Sequence, residues 1–290
     1  MERELTLREN QLILSGMMND LADYLEKHHL RYYLVGGTLL GAVRHQGFIP
    51  WDDDIDLGMP RRDYEAFLEL VKTEPVGPDY EIRTWQDGSL TIPLTEMANT
   101  KLRLERASSR FIAENYRMLN AFIDIIPQDG WPSDDEEAMK LFKRMKRLRY
   151  LNKTARSIPW SGRTFARAAA KVPVALTLKA FGNKRILKII DQISRKIDYD
   201  TSEYVGCVYY GIYGMGERCK RTEVTAFEKK MFEGREYSVP GCWHTYLEGI
   251  YGTDYMELPP ENKRKAHEMH IYADEEYLRK MLPETDYEEK

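Results

Sequence analysis

The 290-residue chain is 42% hydrophobic and carries 43 Lys or Arg against 47 Asp or Glu, a formal charge of −4. This excludes a disordered chain, and the length predicts one large domain or two small ones with a real core. No apolar run approaches the roughly 18–20 residues that span a bilayer, and the net charge argues against a nucleic-acid partner.

The first residues lack a basic start followed by an apolar stretch, so no secretory signal is read. Three cysteines without a CxxC pair fit a reducing, cytoplasmic setting. The mean charge hides an asymmetry. Residues 140–196 hold 17 Lys or Arg and one acid, Asp191, so the remainder of the chain is strongly acidic.

In chain order, residues 7–28 predict an amphipathic helix, with Leu14, Met18, Leu21 and Leu25 at spacings of three or four. A short strand follows at 31–35 and is broken by Gly36-Gly37. Thr38 is expected to cap a helix over 39–44. Residues 54–57 alternate polar and apolar as in a half-buried strand, and 62–72 read as a helix. Several short strands are expected over 80–106, an apolar strand over 121–126 and a turn over 127–132. A helix over 134–151 has Ser133 as its expected cap. Two more helices are expected within 164–197, broken near Pro173 and Gly182. Strands near 204–210 and 235–239, a helix over 243–251 and a mostly helical tail from Pro260 complete the pattern. The fold class is α+β. The division is an α/β core at 1–132, a basic helical insertion at 133–200 and a smaller α+β part at 201–290.

Three features of the first part carry chemistry. Val35-Gly36-Gly37-Thr38 leaves a strand and opens a helix, where glycines and free N–H groups can meet a phosphate. Asp54 and Asp56 at i and i+2 of a strand would point one way and share a hard divalent cation such as Mg²⁺. Asp124 stands alone in Phe122-Ile-Asp-Ile125, a costly place for an acid unless it is paired or metal-bound. Together they suit metal-assisted phosphoryl transfer. Singly, each also fits a plain turn, a solvated loop or a hydrogen-bonded edge residue.

The stretch Gly37-Thr-Leu-Leu-Gly-Ala-Val-Arg-His-Gln-Gly-Phe-Ile-Pro-Trp-Asp-Asp-Asp-Ile-Asp56 closely resembles the signature of the LicD family of the nucleotidyltransferase superfamily. Phe122-Ile-Asp-Ile125, Phe232-Glu-Gly-Arg235, Val239-Pro240, Tyr251-Gly-Thr-Asp-Tyr-Met-Glu-Leu-Pro-Pro260, Lys263-Arg264 and His267 also match. The resemblance covers about residues 10 to 270. It implies transfer of phosphocholine from CDP-choline to a hydroxyl of a surface glycan, of teichoic acid or lipopolysaccharide type, with release of CMP. Fukutin-like relatives move ribitol phosphate. It further implies Asp54, Asp56 and Asp124 as catalytic metal ligands for Mg²⁺ or Mn²⁺, and Gly36, Gly37 and Thr38 facing the donor phosphates.

Arg44 is a candidate phosphate clamp or a surface ion pair. Lys101 and Arg103 are candidates for the leaving CMP. Choline needs an aromatic or acidic cage; Trp51 is the first candidate, then Tyr209, Tyr210 and Tyr213, with core packing as the alternative. Arg264 and His267 are candidates for the acceptor or a phosphate. Cys207, Cys219, Cys242 and His244 are too irregularly spaced for an expected zinc site and read as buried thiols. An enzyme using an NTP and releasing pyrophosphate, or an inactive glycan- or nucleotide-binding protein, are the other readings. The segment 140–196 is either a membrane-surface element for an anionic inner leaflet, meeting a lipid-linked acceptor there, or a helical cap on the acidic body.

Overall fold

A computed structural model describes residues 1–106, 119–157, 165–264 and 269–282. In order come β1 (Glu2–Glu4), α1 (Leu7–Lys27), β2 (Tyr33–Leu34), α2 (Gly36–His45), β3 (Asp56–Pro60), α3 (Arg61–Leu70), β4 (Tyr80–Thr84), β5 (Thr95–Arg106) and β6 (Leu119–Trp131). The helices α4 (Asp135–Arg156), α5 (Phe165–Phe181) and α6 (Asn183–Ser194) follow. The last part holds β7 (Tyr204–Gly206), β8 (Cys219–Lys220), α7 (Arg221–Val224), β9 (Glu228–Phe232), β10 (Arg235–Val239), α8 (Trp243–Tyr251), β11 (Met269–Asp274) and α9 (Glu275–Met281). The α+β class holds.

The main sheet runs β1-β11-β5-β6-β3-β2, with β4 also on β5, β7 on β6 and β8 on β7. β3 and β6 are parallel, and β5 pairs β6 antiparallel. The helix α1 is opened by a reciprocal Thr6/Glu9 capping box, and its face of Ile13, Leu14, Met17, Met18, Leu21 and Leu25 lies in the core. That core draws on both ends of the chain, from Leu5 to Leu282. A second one joins α4 and α6 through Met145, Ile186, Leu187 and Ile190 to Trp131 and Tyr209.

Several expectations are corrected. Residues 127–132 are not a turn, since β6 continues to Trp131. Pro127 is tolerated because Asp124 N–H donates to Ile55 O, so even-numbered amides of β6 face β3 while residue 127 faces the other side. On that side the β5 ladder has ended opposite Ile125 and the β7 ladder begins at Asp129. Over 80–106 there is one short strand, β4, and one long one, β5. Asp134, not Ser133, caps α4, accepting from Glu137 N–H at 2.8 Å. Pro173 lies inside α5, where it removes one hydrogen bond without ending the helix. The break falls at Gly182, whose φ of +94° favours glycine. Only 204–206 of the strand expected near 204–210 forms, and the tail from Pro260 contains β11 before the short α9. Pairing of β11 with β1 and β5 overrides its local preference.

Candidate active site

β3 and β6 bring the first two carboxylates together. Asp56 stands opposite Asp124 in the parallel pair, and Asp124 stands opposite Glu96 in the antiparallel β5/β6 pair. Directly opposed residues share a face, and adjacent strands lie about 4.8 Å apart. Three carboxylates therefore form one row across the sheet. Glu96 is buried, at 3% exposure, and the sequence reading missed it. Its signal was an acid within Leu94-Thr-Glu-Met-Ala98, a stretch otherwise buried.

Asp54 lies in the loop before β3, which begins at Asp56. The strand spacing argument does not place it; the loop does. Single carboxylate oxygens of Asp52, Asp53 and Asp54 lie within 4.8 Å of one another. Two buried polar residues of α1 hold this loop by its backbone. Gln11 donates to Asp52 O at 2.9 Å and Asn10 to Asp53 O at 3.2 Å. An all-oxygen, all-anionic donor set of this kind suits a hard divalent cation.

The glycine pair opens α2 from within its first turn, with Val35 as the cap residue. Gly36 has φ +54°, and a Cβ there would sit 2.9 Å from Asp56 Oδ2; at Gly37 it would sit 2.8 Å from Asp52 Oδ2. The two glycines therefore face the carboxylates, and any side chain would fill the gap between helix start and acids. Thr38 is not the cap. It is buried, and its hydroxyl accepts from Asp56 N–H at 2.8 Å, fixing the strand that carries Asp56. Gly36 N–H donates to the Tyr246 hydroxyl at 3.3 Å.

Aromatic side chains from the last part wall this row. Burial pushes the Tyr210 hydroxyl above its usual range, and the Asp124 charge adds to the shift while Arg156 opposes it. Burial likewise raises Tyr213, whose neighbours include Tyr251, Asp56 and Asp54. The Tyr213 and Tyr251 rings meet edge to face at 5.5 Å, and Tyr251 in turn feels Asp56 and Asp52. Gly216 and Gly249 let this loop sit backbone to backbone on α8, for a Cβ on Gly216 would lie 2.0 Å from Gly249 O. Tyr209 points elsewhere, into the second core against Arg61.

The rim holds two other expected residues together. The Arg264 guanidinium lies 5.3 Å from the Trp51 ring centroid, and Arg264 donates to Pro259 O. Arg44 donates to the carbonyls of Tyr255 and Glu257, which anchors the same C-terminal motif on α2. Lys101 and Arg103 are not at the site. Arg103 pairs with Glu2 and Glu105 and stacks on Tyr272, seven residues along β5 from Glu96 or roughly 20 Å. Lys101 is exposed, 3.7 Å from Asp79. His267 lies outside the described residues. The three cysteines are buried and free, and His244 turns to Tyr255 and Glu248 rather than toward them.

Glu217 sits behind the tyrosine loop with 6% exposure. Burial pushes its carboxyl from 4.5 to about 8, against the pull of Arg149 and of the Tyr213 and Gly214 amides. Between 4.5 and about 8 the folded chain holds a proton that the unfolded chain releases. Stability therefore falls as pH rises through that window and levels off above it. Glu217→Gln is expected to match the wild type near pH 4.5 and to exceed it above pH 8 by up to about 4 kcal/mol. Paired thermal-denaturation series across pH check this, and equal pH slopes in both proteins would overturn it.

Comparison with known proteins agrees with this geometry. A family model described as LicD/FKTN/FKRP, nucleotidyltransferase domain, matches residues 29–173. The chain is 30% identical over 268 residues to the lipopolysaccharide cholinephosphotransferase LicD of Haemophilus influenzae, covering 91% of this chain and 97% of that protein. A 35-residue segment is 60% identical to the human ribitol 5-phosphate transferase FKRP, covering 12% of this chain and 7% of that one. A 60-residue segment is 50% identical to an uncharacterised protein of Rickettsia prowazekii, covering 21% and 22% of the two chains. A specific glycine-aspartate signature, a carboxylate row and near full-length similarity converge: this chain belongs to the LicD family.

Proposed function

We propose that this protein transfers phosphocholine from CDP-choline to a hydroxyl of a surface glycan and releases CMP, with Mg²⁺ or Mn²⁺ as cofactor. The observation that carries the reading is its similarity to a cholinephosphotransferase across 97% of that protein. The carboxylate row and the tyrosine wall support it. Asp54 and Asp56 would hold the ion, which when bound neutralises charge on the donor pyrophosphate. Gly36 and Gly37 leave room for a phosphate beside those acids. Tyr213 and Tyr251 offer ring faces to a quaternary ammonium, with acids close by. Asp124 would hold a second metal position or take the proton of the attacking hydroxyl.

The test incubates the purified chain with CDP-choline, Mg²⁺ and a glycan acceptor, and reads CMP release and choline on the glycan. Pyrophosphate released from CTP instead would assign an NTP-using nucleotidyltransferase. Nucleotide binding without turnover would assign a binding protein.

The basic helices are proposed to rest on an anionic membrane surface. Val174, Leu176 and Phe181 are exposed on α5 beside Lys179, Lys184, Arg185 and Lys188. No helix among the described residues is long and apolar enough to cross a membrane. The chain is expected to sediment with anionic vesicles at low salt and to release at high salt. Equal sedimentation with zwitterionic vesicles would refute an electrostatic contact.

A further inference from the structure

One side of α4 in the basic segment is left unexplained by membrane contact. Lys146, Arg149, Lys153 and Arg156 recur along α4 at spacings of three, four and three, which places them on one side of the helix. They line a cleft of about 270 Å³ whose other wall includes Tyr210 and Ile212. Among the described residues, every charged side chain lining it is cationic. Among the described residues no carboxylate pairs with Lys146 or Lys153. Like charges gathered along one side of a helix favour an anion between them.

Arg149 makes the case sharper. Its Nη2 donates to Gly211 O at 2.6 Å, which fixes the guanidinium against the tyrosine loop. Its Nη1 is buried and has no hydrogen-bond partner among the described residues. A guanidinium with a buried, unmet donor is under-satisfied, and an oxyanion would satisfy it. Tyr210 links this cleft to the carboxylate row, since Arg156 and Asp124 both act on its hydroxyl. The four cations extend over eleven helical residues, about 15 Å from first to last, which exceeds what one donor pyrophosphate occupies.

We propose that the α4 cleft is an anion subsite that holds a phosphate group of the glycan acceptor. The assignment to the acceptor rests on the transferase reading; the phosphate chemistry does not. The donor phosphates belong on the other side of Tyr210, against the glycines and the metal-binding acids. Phosphate-bearing sugar chains would then be preferred over the same chains without phosphate.

The experiment measures binding of glucose 6-phosphate, glucose and CDP-choline to the full chain by calorimetry. Wild type is compared with the double variant Lys146→Gln/Lys153→Gln, both of whose side chains are exposed. The expected result is binding of glucose 6-phosphate but not glucose. The double variant should weaken the phosphate sugar by about tenfold or more and leave CDP-choline within about twofold. Unchanged glucose 6-phosphate affinity in the variant overturns the proposal, as does its failure to bind wild type. An equal loss of CDP-choline binding overturns it too, because the cleft would then hold the donor. Vesicle binding lost in the variant with sugar-phosphate binding intact would make the stripe a membrane contact and overturn it likewise. Should CDP-choline not bind wild type while the sugar-phosphate results hold, the donor reading falls and the anion subsite stands.

Discussion

Asp56→Asn is expected to lower phosphocholine transfer by about a thousandfold or more, equivalent to some 4 kcal/mol of transition-state stabilisation. The side chain is where β3 meets the row of Asp124 and Glu96, and it lies against Gly36. Its amide is held by Thr38 whatever the side chain, so the substitution leaves the strand in place. Glu96→Gln should also reduce turnover, which tests a residue that no glycine-aspartate motif contains. Lys101→Ala is the control and should keep near wild-type activity, because Lys101 points to Asp79 rather than the row. Mn²⁺ binding read by electron paramagnetic resonance separates loss of the ion from loss of the fold. Full activity in Asp56→Asn would remove the carboxylate row from the mechanism.

How much of this was legible depends on whether a residue's neighbours were close in sequence. The helix α1 and the strand pair bearing Asp56 and Asp124 follow from local periodicity. The family signature placed the glycines beside acids, and their close approach to Asp56 and Asp52 appears only in the folded chain. Glu96 needed the β5/β6 register, which no local pattern reveals. Thr38 reads as a helix cap locally, yet its hydroxyl is taken by an amide eighteen residues on. Lys101 and Arg103 offer charge in the sequence, yet they lie along β5 away from the row, on Asp79, Glu2 and Glu105. Tyr210, Tyr213 and Tyr251 reach the acids because paired glycines let a loop lie on α8. The strand at Pro127 survived because of a gap between two partners, a fact of topology rather than propensity.

The second large effect concerns stability. Arg61 opens α3 directly after β3, and it is nearly buried. It forks onto Asp129, with both hydrogen bonds at 2.7 Å, and reaches Asp191 of α6 at 3.3 Å. Its guanidinium also lies over Tyr64 and Tyr209, at 5.4 and 5.3 Å from the ring centroids. One side chain thus ties the strand β3 that carries Asp56, the end of β6 and the basic helices. Arg61→Leu leaves the fully buried Asp129 without its cation. Breaking a buried pair from one side costs about 3–5 kcal/mol, a large share of the roughly 5–15 kcal/mol that holds a typical domain. Urea unfolding should show that loss as a lowered midpoint. Asp191 keeps Arg195 and is less affected. The double variant Arg61→Leu/Asp129→Leu should recover much of the stability, since an apolar pair of similar bulk replaces two buried charges. Arg61→Lys should not, because an ammonium cannot fork onto one carboxylate and reach a second. A cost below about 1 kcal/mol for Arg61→Leu would mean that the helices α4 to α6 hold to the sheet without this pair. Because Tyr209 adjoins Tyr210, the same variant should also lower transfer, and partial recovery of both properties in the double variant would link the buried pair to the tyrosine wall.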